Sequence, residues 1–416
     1  MDEDLTPEVI VRYASAFSSL FPPGPMALSR DTRESGPAIV RLVSAAMMWM
    51  GHTVHDFGVV PTPAFLRLIR LTGSRGGIMV SASHNPPEWN ALKFAFGDRL
   101  SREEEVAAIG RSLEVRHVAR SPFGRYYDGS SRVYDLYLST LGDLRYDLGG
   151  LRVVVDSQNG ATAVWVARLL NDLGASVLPI RNLYGPLPED PEPKADRFGE
   201  MDTLLKGGEY DVGFGYDPDG DRVIVGLKGV GLLTEEQTTA LALYSATRYL
   251  DVGKVAVLNY STSVLSERVL REAGLTVYRY KVGEPNIVQR LEEVGGVLGG
   301  EGNGGLIYLP FSKGRDGILS ALLISRLVLE GNVPDSILRP GTRMGKVKVS
   351  RRLEETLEVF RDIVEGWDLD TTDGYYFRKG DNWLHVRPSN TEPVVRVIWE
   401  GEREFYDRIA ERVRLI

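Results

Sequence analysis

The sequence predicts an α/β protein of four domains, three of them alike and a smaller α+β domain at the C-terminal end. Three observations carry that expectation. The chain has 416 residues, and at about 150 residues per domain that makes roughly three domains, with two or four also reasonable. Helical and extended patterns alternate along most of it. After Asn332-Val333-Pro334 the alternation gives way to runs of adjacent strands, the pattern of an α+β unit.

Each domain shows its elements in order. Pro7 to Ser19 reads as a helix, Thr53 to Val59 as extended, Pro63 to Leu71 as helical and Gly77 to Val80 as extended, a rhythm that calls for a parallel sheet with crossover helices. Leu42 to Met50 is the longest apolar stretch; it falls short of the ~20 residues that cross a bilayer and reads as a buried helix. Ser121 to Ser131, rich in Ser, Gly, Pro and Tyr, punctuates the pattern and closes a first domain over residues 1–122. The second, 123–230, holds strand Leu151 to Asp156, a turn at Asn159-Gly160, helix Thr162 to Leu173, strand Ser176 to Ile180, a Pro-rich connection from Tyr184 to Pro193, and strands Asp211 to Tyr216 and Val223 to Leu227. The third, 231–338, repeats the rhythm with helix Thr234 to Leu250, strand Lys254 to Leu258, helix Val264 to Ala273, strand Thr276 to Tyr280 and helix Pro285 to Glu293. The fourth, 339–416, reads as strand Lys346 to Val349, helix Leu353 to Glu365, strands Tyr375 to Lys379, Trp383 to Val386 and Val394 to Ile398, and helix Glu402 to Val413.

Composition narrows the function. Apolar residues at 43% and charged residues at 25% match ordinary globular proteins and set aside extended disorder. A net charge of −8 repels polyphosphate backbones, so nucleic acid is not expected as a partner. With no cysteine there is no disulfide framework or thiolate site, and any metal must be held by oxygen or imidazole. Met1 leads straight into Asp2-Glu3-Asp4-Leu5-Thr6-Pro7 without a basic or apolar leader, so a cytoplasmic protein away from the membrane is expected.

Four loops carry chemistry. Ser81-Ala82-Ser83-His84-Asn85-Pro86-Pro87 follows a buried-looking strand, where open α/β sheets place ligands. His-Asn-Pro-Pro continues neither helix nor central strand, so Ser83 is held on a rigid corner; a plain turn is the other reading. The Gly-x-Ser-x-Gly elbow of serine hydrolases is missing. Asp217-Pro218-Asp219-Gly220-Asp221-Arg222 sets three carboxylates at alternate positions in a tight bend. At an effective dielectric of about 20, two carboxylates about 4 Å apart repel by about 4 kcal/mol, so three need a cation, and Mg²⁺ fits. An EF-hand fails, since Arg222 and Lys228 stand where it needs Gly and Glu; a solvated acidic turn is the alternative. Gly300-Glu301-Gly302-Asn303-Gly304-Gly305 matches a dinucleotide fingerprint only formally, because Leu306-Ile307-Tyr308-Leu309 after it is strand-like. It reads either as a ligand-free hairpin or as a loop offering Glu301 and Asn303 to hydroxyls. Arg387-Pro388-Ser389-Asn390-Thr391-Glu392-Pro393, with Arg396 beyond, is either an anion clamp or an ordinary turn.

At these residues the chain resembles the α-D-phosphohexomutase superfamily, whose four signature loops match in order across nearly its whole length. The Gly-Glu-Gly-Asn-Gly-Gly form is similar to the archaeal phosphomannomutase and phosphoglucosamine mutase branch, and Arg30-Asp31-Thr32-Arg33-Glu34-Ser35-Gly36 also resembles a family segment. The resemblance implies mixed-sheet α/β domains around a central cleft, with Ser83 as phosphoryl carrier and Mg²⁺ held by Ser83, Asp217, Asp219 and Asp221. It also implies Arg222 and Lys93 as catalytic cations, and Lys281, Glu301, Asn303, Arg387, Ser389, Asn390 and Thr391 as substrate contacts. Hexose or hexosamine 6-phosphate and 1-phosphate would interconvert through a bisphosphorylated sugar, with hexose 1,6-bisphosphate as activator and a monomer or homodimer as the assembly. The family opens with a Gly-Thr-x-Gly-x-Arg-Gly segment that would precede this chain's start, so Arg30 or Arg33 is expected to supply the missing arginine unless the start is truncated. Gly305 stands where some branches place a histidine. Two other functions are open: a phosphatase with Asp217 as nucleophile, on a haloacid-dehalogenase-like Asp-x-Asp-Gly, and a catalytically lapsed sugar-phosphate sensor.

Overall fold

A computed structural model of the chain describes residues 5–115, 118–389 and 393–414. The first helix, Pro7–Ser19, begins where the Thr6 side chain accepts the Val9 N–H and a proline occupies the first turn, both ordinary start signals. Strands Pro25–Arg30, Thr53–Val59 and Gly76–Val80 run parallel, connected through helices Gly36–Trp49 and Thr62–Leu71, since parallel neighbours need a crossover connection. Strand Leu92–Phe96 then turns back antiparallel against Gly76–Val80, so the sheet is mixed where the alternation alone suggested a parallel one. Tyr126–Asp128 adds a parallel strand beside Thr53–Val59, carrying this sheet past the expected boundary at residue 122.

The second sheet runs Gly231–Leu232, Val223–Leu227, Val212–Tyr216, Arg152–Asp156, Ser176–Ile180. The helix expected from Thr162 starts only at Trp165. Val164 has φ 68°, a left-handed conformation that a right-handed helix cannot contain. In the third domain Val255–Asn259 lies between parallel Thr276–Tyr280 and Leu298–Glu301, and the sheet continues antiparallel through Gly305–Tyr308 to Ser312–Arg315.

The last of these strands pairs with Arg99–Leu100 of the first domain through Lys313 and Arg99, so the first and third sheets form one sheet of 11 strands. Arg67 rivets the same seam. Its guanidinium lies 3.9 Å from the centre of the Phe311 ring and donates to the carbonyls of Phe311 at 2.6 Å and Thr140 at 2.7 Å. One large apolar cluster runs through these three domains, from Ala27 past Val155 and Phe214 to Leu327, beside smaller clusters that each domain keeps to itself.

The fourth domain is a five-stranded antiparallel sheet, Arg343–Val349, Val395–Gly401, Asn382–Pro388, Tyr375–Lys379, Asp368–Asp370, over its own core of Phe360, Leu384, Val397 and Ile409. Helix Leu353–Glu358 is shorter than the expected span to Glu365. Beyond it Phe360 and Ile363 bond to the carbonyl three residues back, a tighter winding that turns Phe360, Ile363 and Val364 into the core.

This domain meets the third at a buried carboxylate. Glu400 accepts from Ser263 Oγ at 2.6 Å, Val264 N–H at 2.9 Å, Thr342 Oγ1 at 2.6 Å and Trp383 Nε1 at 2.9 Å. It thereby sits at the positive end of helix Val264–Glu272. Tyr260, Val264, Tyr376, Trp383 and Ile398 pack around it. Among the described residues no helix is long and apolar enough to cross a membrane.

Candidate active site

The fully buried strand Gly76–Val80 delivers the chain into the Ser83 loop at its C-terminal end. Ser83 has φ 51°, a conformation that costs a non-glycine residue about 1–3 kcal/mol and persists only where its surroundings fix it. Arg33 does the fixing. Its side chain is buried beside Asp31, with Nε 3.0 Å from the carboxylate, and its terminal nitrogens donate to the carbonyls of Ser83 at 2.6 Å, Asn85 at 2.7 Å, Trp89 at 2.8 Å and, more closely still, Pro86. The expectation that Arg33 stands in for a missing phosphate-facing arginine is therefore corrected: its donors are taken up by the loop's own main chain. Arg30 reaches the Asp31 carbonyl at 2.9 Å.

Facing Ser83 are the three aspartates, brought from the second domain on the turn between the buried strands Val212–Tyr216 and Val223–Leu227. Ser83 Oγ donates to Asp217 Oδ2 at 3.1 Å. Asp217, Asp219 and Asp221 are fully buried, and one oxygen from each lies within 4.8 Å of the others. Burial, then the charges of Asp221 and Asp219, push the Asp217 carboxyl well above the usual carboxylate range. Asp219 Oδ1 and Asp221 Oδ1 have no hydrogen-bond partner among the described residues. Buried carboxylate oxygens left in this state are costly, and a hard divalent cation coordinated by oxygen answers that deficit. The donor set fits such a cation.

Cations ring the trio. Lys93 Nζ lies 2.5 Å from Asp219 and 3.9 Å from Asp221. Burial alone would lower its pKa, but Asp219 and Asp221 outweigh that and hold the ammonium above the usual lysine value. The Arg222 N–H donates to Asp217 Oδ1 at 3.2 Å, and Arg222 Nε lies 3.8 Å from Asp221. His84, next to the serine, is pushed down to about 3, by burial first and then by Arg222, so its imidazole is neutral.

Glu301 ends strand Leu298–Glu301 and is 3% exposed. Its Oε1 accepts from Asn259 Nδ2 and the Gly283 N–H, both at 2.8 Å, and its Oε2 from Arg315 at 3.2 Å. Asn303 presents a buried Oδ1 with no partner among the described residues. Lys281 is half-buried in the loop after strand Thr276–Tyr280. The neighbouring Val282 N–H donates to Asp373 Oδ2 at 2.8 Å, and Asp373 Oδ1 accepts from Arg387 Nε at 3.1 Å, which ties Arg387 of the fourth domain to the lysine's loop. Ser389 accepts from Arg396 Nε at 3.3 Å. Asn390 and Thr391 lie outside the described residues.

Three contributors escaped the sequence reading. Thr62, at the head of a first-domain helix, bonds Asp219 through both its hydroxyl and its N–H. Glu284 opens helix Glu284–Val294, and Arg315 closes strand Ser312–Arg315. Nothing in the run Ser312-Lys313-Gly314-Arg315-Asp316 marks its arginine; only the pairing of that strand beside Gly305–Tyr308 brings it to the centre.

Comparison with known proteins agrees along the whole chain. Its residues 1–114, 135–229, 234–340 and 344–416 match, in turn, domains I, II, III and the C-terminal domain of the phosphoglucomutase/phosphomannomutase family. A phosphoglucosamine mutase of Thermotoga maritima is 31% identical, over 99% of this chain and 95% of its own. A phosphoglucomutase/phosphomannomutase of Thermococcus kodakarensis is 29% identical, over 97% and 92%. A solved phosphoglucomutase/phosphomannomutase family protein of Burkholderia thailandensis superposes with a TM-score of 0.83 at 24% identity, covering 100% of this chain and 94% of that one.

Proposed function

Because the chain belongs to the phosphoglucomutase/phosphomannomutase family and is a phosphohexomutase, we propose that Ser83 is the group that carries the phosphoryl in its reaction. The observation behind this is the hydrogen bond of Ser83 Oγ to Asp217 Oδ2, which joins a rigid first-domain corner to the second-domain carboxylates. Phosphorylated Ser83 hands its group to the free end of a hexose or hexosamine monophosphate, and the sugar bisphosphate turns over. The other phosphate then returns to Ser83, which regenerates the starting state. The relatives' names favour a glucosamine, glucose or mannose phosphate as substrate.

Ser83, Asp217, Asp219 and Asp221 are the residues that would hold Mg²⁺, which when bound neutralises the trio and draws charge from the transferring phosphoryl. Lys93 and Arg222 stand beside it as fixed cations, aimed at charge that grows in the transition state. Arg387 and Ser389, with Asn390 and Thr391 of the same segment, anchor the distal phosphate, while Glu301, Asn303 and Lys281 face the sugar. A clamp on a separate domain lets the cleft close over the ligand, excluding the water that would otherwise hydrolyse the phosphoserine. Hexose 1,6-bisphosphate would prime an unphosphorylated serine and so act as activator. The phosphatase reading is not favoured: Asp217 is one of three buried carboxylates on a loop that the whole chain's family match already accounts for.

Intact-protein mass with site mapping tests this. One phosphate on Ser83 that chases on and off with hexose phosphate is expected. Ser83→Ala should keep hexose-phosphate binding and lose turnover; a fully active Ser83→Ala enzyme rejects the assignment.

A further inference from the structure

Among the described residues, Arg315 is the one side chain that touches a metal-site carboxylate and the sugar-loop carboxylate together. It is 9% exposed. One terminal nitrogen lies 2.7 Å from Asp221 Oδ2 of the second domain, the other 3.2 Å from Glu301 Oε2, and Nε 3.1 Å from Glu284 Oε2. Its own N–H also donates to Glu284 at 3.1 Å. Three carboxylates from three elements thus share one planar fork, a geometry that guanidinium meets and ammonium does not.

The surroundings are shaped to admit it. A Cβ on Gly305 would run into the Arg315 stem, with Cγ at 2.7 Å, and a Cβ on Gly314 would lie 2.8 Å from Glu284 Oε1. The bare backbone at 305 is therefore the slot through which the guanidinium passes. With Asp221 Oδ2 held by this fork, Oδ1, which has no hydrogen bond among the described residues and has Arg222 Nε 3.8 Å away, is left to the metal site.

We propose that Arg315 is a positioning residue: it fixes the orientation in which Asp221 presents Oδ1 to the divalent cation, and it locks that orientation to Glu301 on the sugar loop. The inference rests on the phosphohexomutase reading for its kinetic consequence but not for its effect on the cation. Loss of a group that orients a metal-ligating side chain costs about 10–100-fold in metal affinity or activity. Deletion of a cation beside a carboxylate cage has the opposite sign, since by charge alone it tightens binding of a second cation.

That difference in sign decides the experiment. Mn²⁺ alone is titrated into the full-length protein and followed by electron paramagnetic resonance, for wild type, Arg315→Met, Arg315→Lys and Gly305→Ala. Positioning predicts about tenfold weaker Mn²⁺ binding in Arg315→Met, little rescue by Arg315→Lys, and the same loss in Gly305→Ala, which keeps the arginine but blocks its slot. In turnover, kcat should stay depressed at saturating metal while KM for hexose phosphate rises through the loosened Glu301. Unchanged or tighter Mn²⁺ binding in both Arg315→Met and Gly305→Ala overturns the proposal. Normal turnover by Ser83→Ala would remove the phosphoserine reading and leave the Mn²⁺ comparison to judge Arg315 by itself.

Discussion

Replacing Arg33 with methionine should damage the enzyme without touching any reacting side chain, since Arg33 reaches Ser83 only through its main-chain carbonyl. The guanidinium holds four loop carbonyls and the buried Asp31, and both partners of that ion pair have fully buried side chains. Removing one member of a buried pair costs about 3–5 kcal/mol. At about 2–4 °C per kcal/mol for a large domain, Tm should fall by about 10 °C. The loop would also lose what imposes φ 51° on Ser83, and a displacement of about 1 Å at a nucleophile costs on the order of 100-fold in rate. Arg33→Lys separates the two effects. The ammonium still faces Asp31, so most of the Tm should return, but three donors on a single nitrogen cannot serve carbonyls spread from Ser83 to Trp89, and turnover should stay low. Differential scanning fluorimetry and a coupled hexose-phosphate assay on the three proteins suffice. Wild-type turnover in Arg33→Lys would refute the idea that the fork shapes the loop.

Asp316 caps helix Gly317–Leu329 from a fully buried position, and burial, opposed by the Leu319 N–H and Arg67, pushes its carboxyl up to about 6. With the folded value above the unfolded one, the native state binds the extra proton, so stability is lost as pH rises from about 4 through about 6, by about 3 kcal/mol in all. Asp316→Asn keeps the cap without the charge, and urea melts should show it gaining on wild type between pH 4 and pH 8; an equal difference at both values would dismiss the effect. Glu400→Gln weakens a four-donor anchor, where hydrogen bonds to a charged group contribute about 1.5–3 kcal/mol each; limited proteolysis should release the fourth domain earlier, and an unchanged digestion pattern contradicts this. Mg²⁺ should raise the Tm of metal-free protein, since it binds only the folded cage, and Asp219→Asn should abolish the rise; a rise that persists in that variant moves the metal elsewhere.

The fold was legible wherever local pattern and tertiary context agreed. Pro7–Ser19, Thr53–Val59, Ser176–Ile180 and Tyr375–Lys379 have the bounds their periodicity implies, because caps and alternating burial act over a few residues. Short two- to four-residue strands such as Arg99–Leu100 and Ser312–Arg315 carry no such pattern; they are strands only because each finds a sheet edge, against Leu92–Phe96 and Gly305–Tyr308, and then the other. The site divides the same way. Ser83 and the aspartate trio stand in loops whose composition is itself unusual. Thr62, Glu284 and Arg315 are ordinary letters in ordinary elements, and their role comes from contacts with Asp219, with each other, and with Asp221 and Glu301 across domains.

The joint between Lys313 and Arg99 also sets an order of events during synthesis. About 200 residues separate the two strands, so at about 5–20 residues per second a nascent first domain waits on the order of 10–40 s before its neighbour leaves the ribosome. Throughout that interval the outer edge of Arg99–Leu100, whose inner edge pairs with Leu92–Phe96, is open to pairing with other chains. Its two-residue length, with charged Asp98 before it and Arg102 after it, keeps the unfinished polypeptide from offering a longer template while the rest is made.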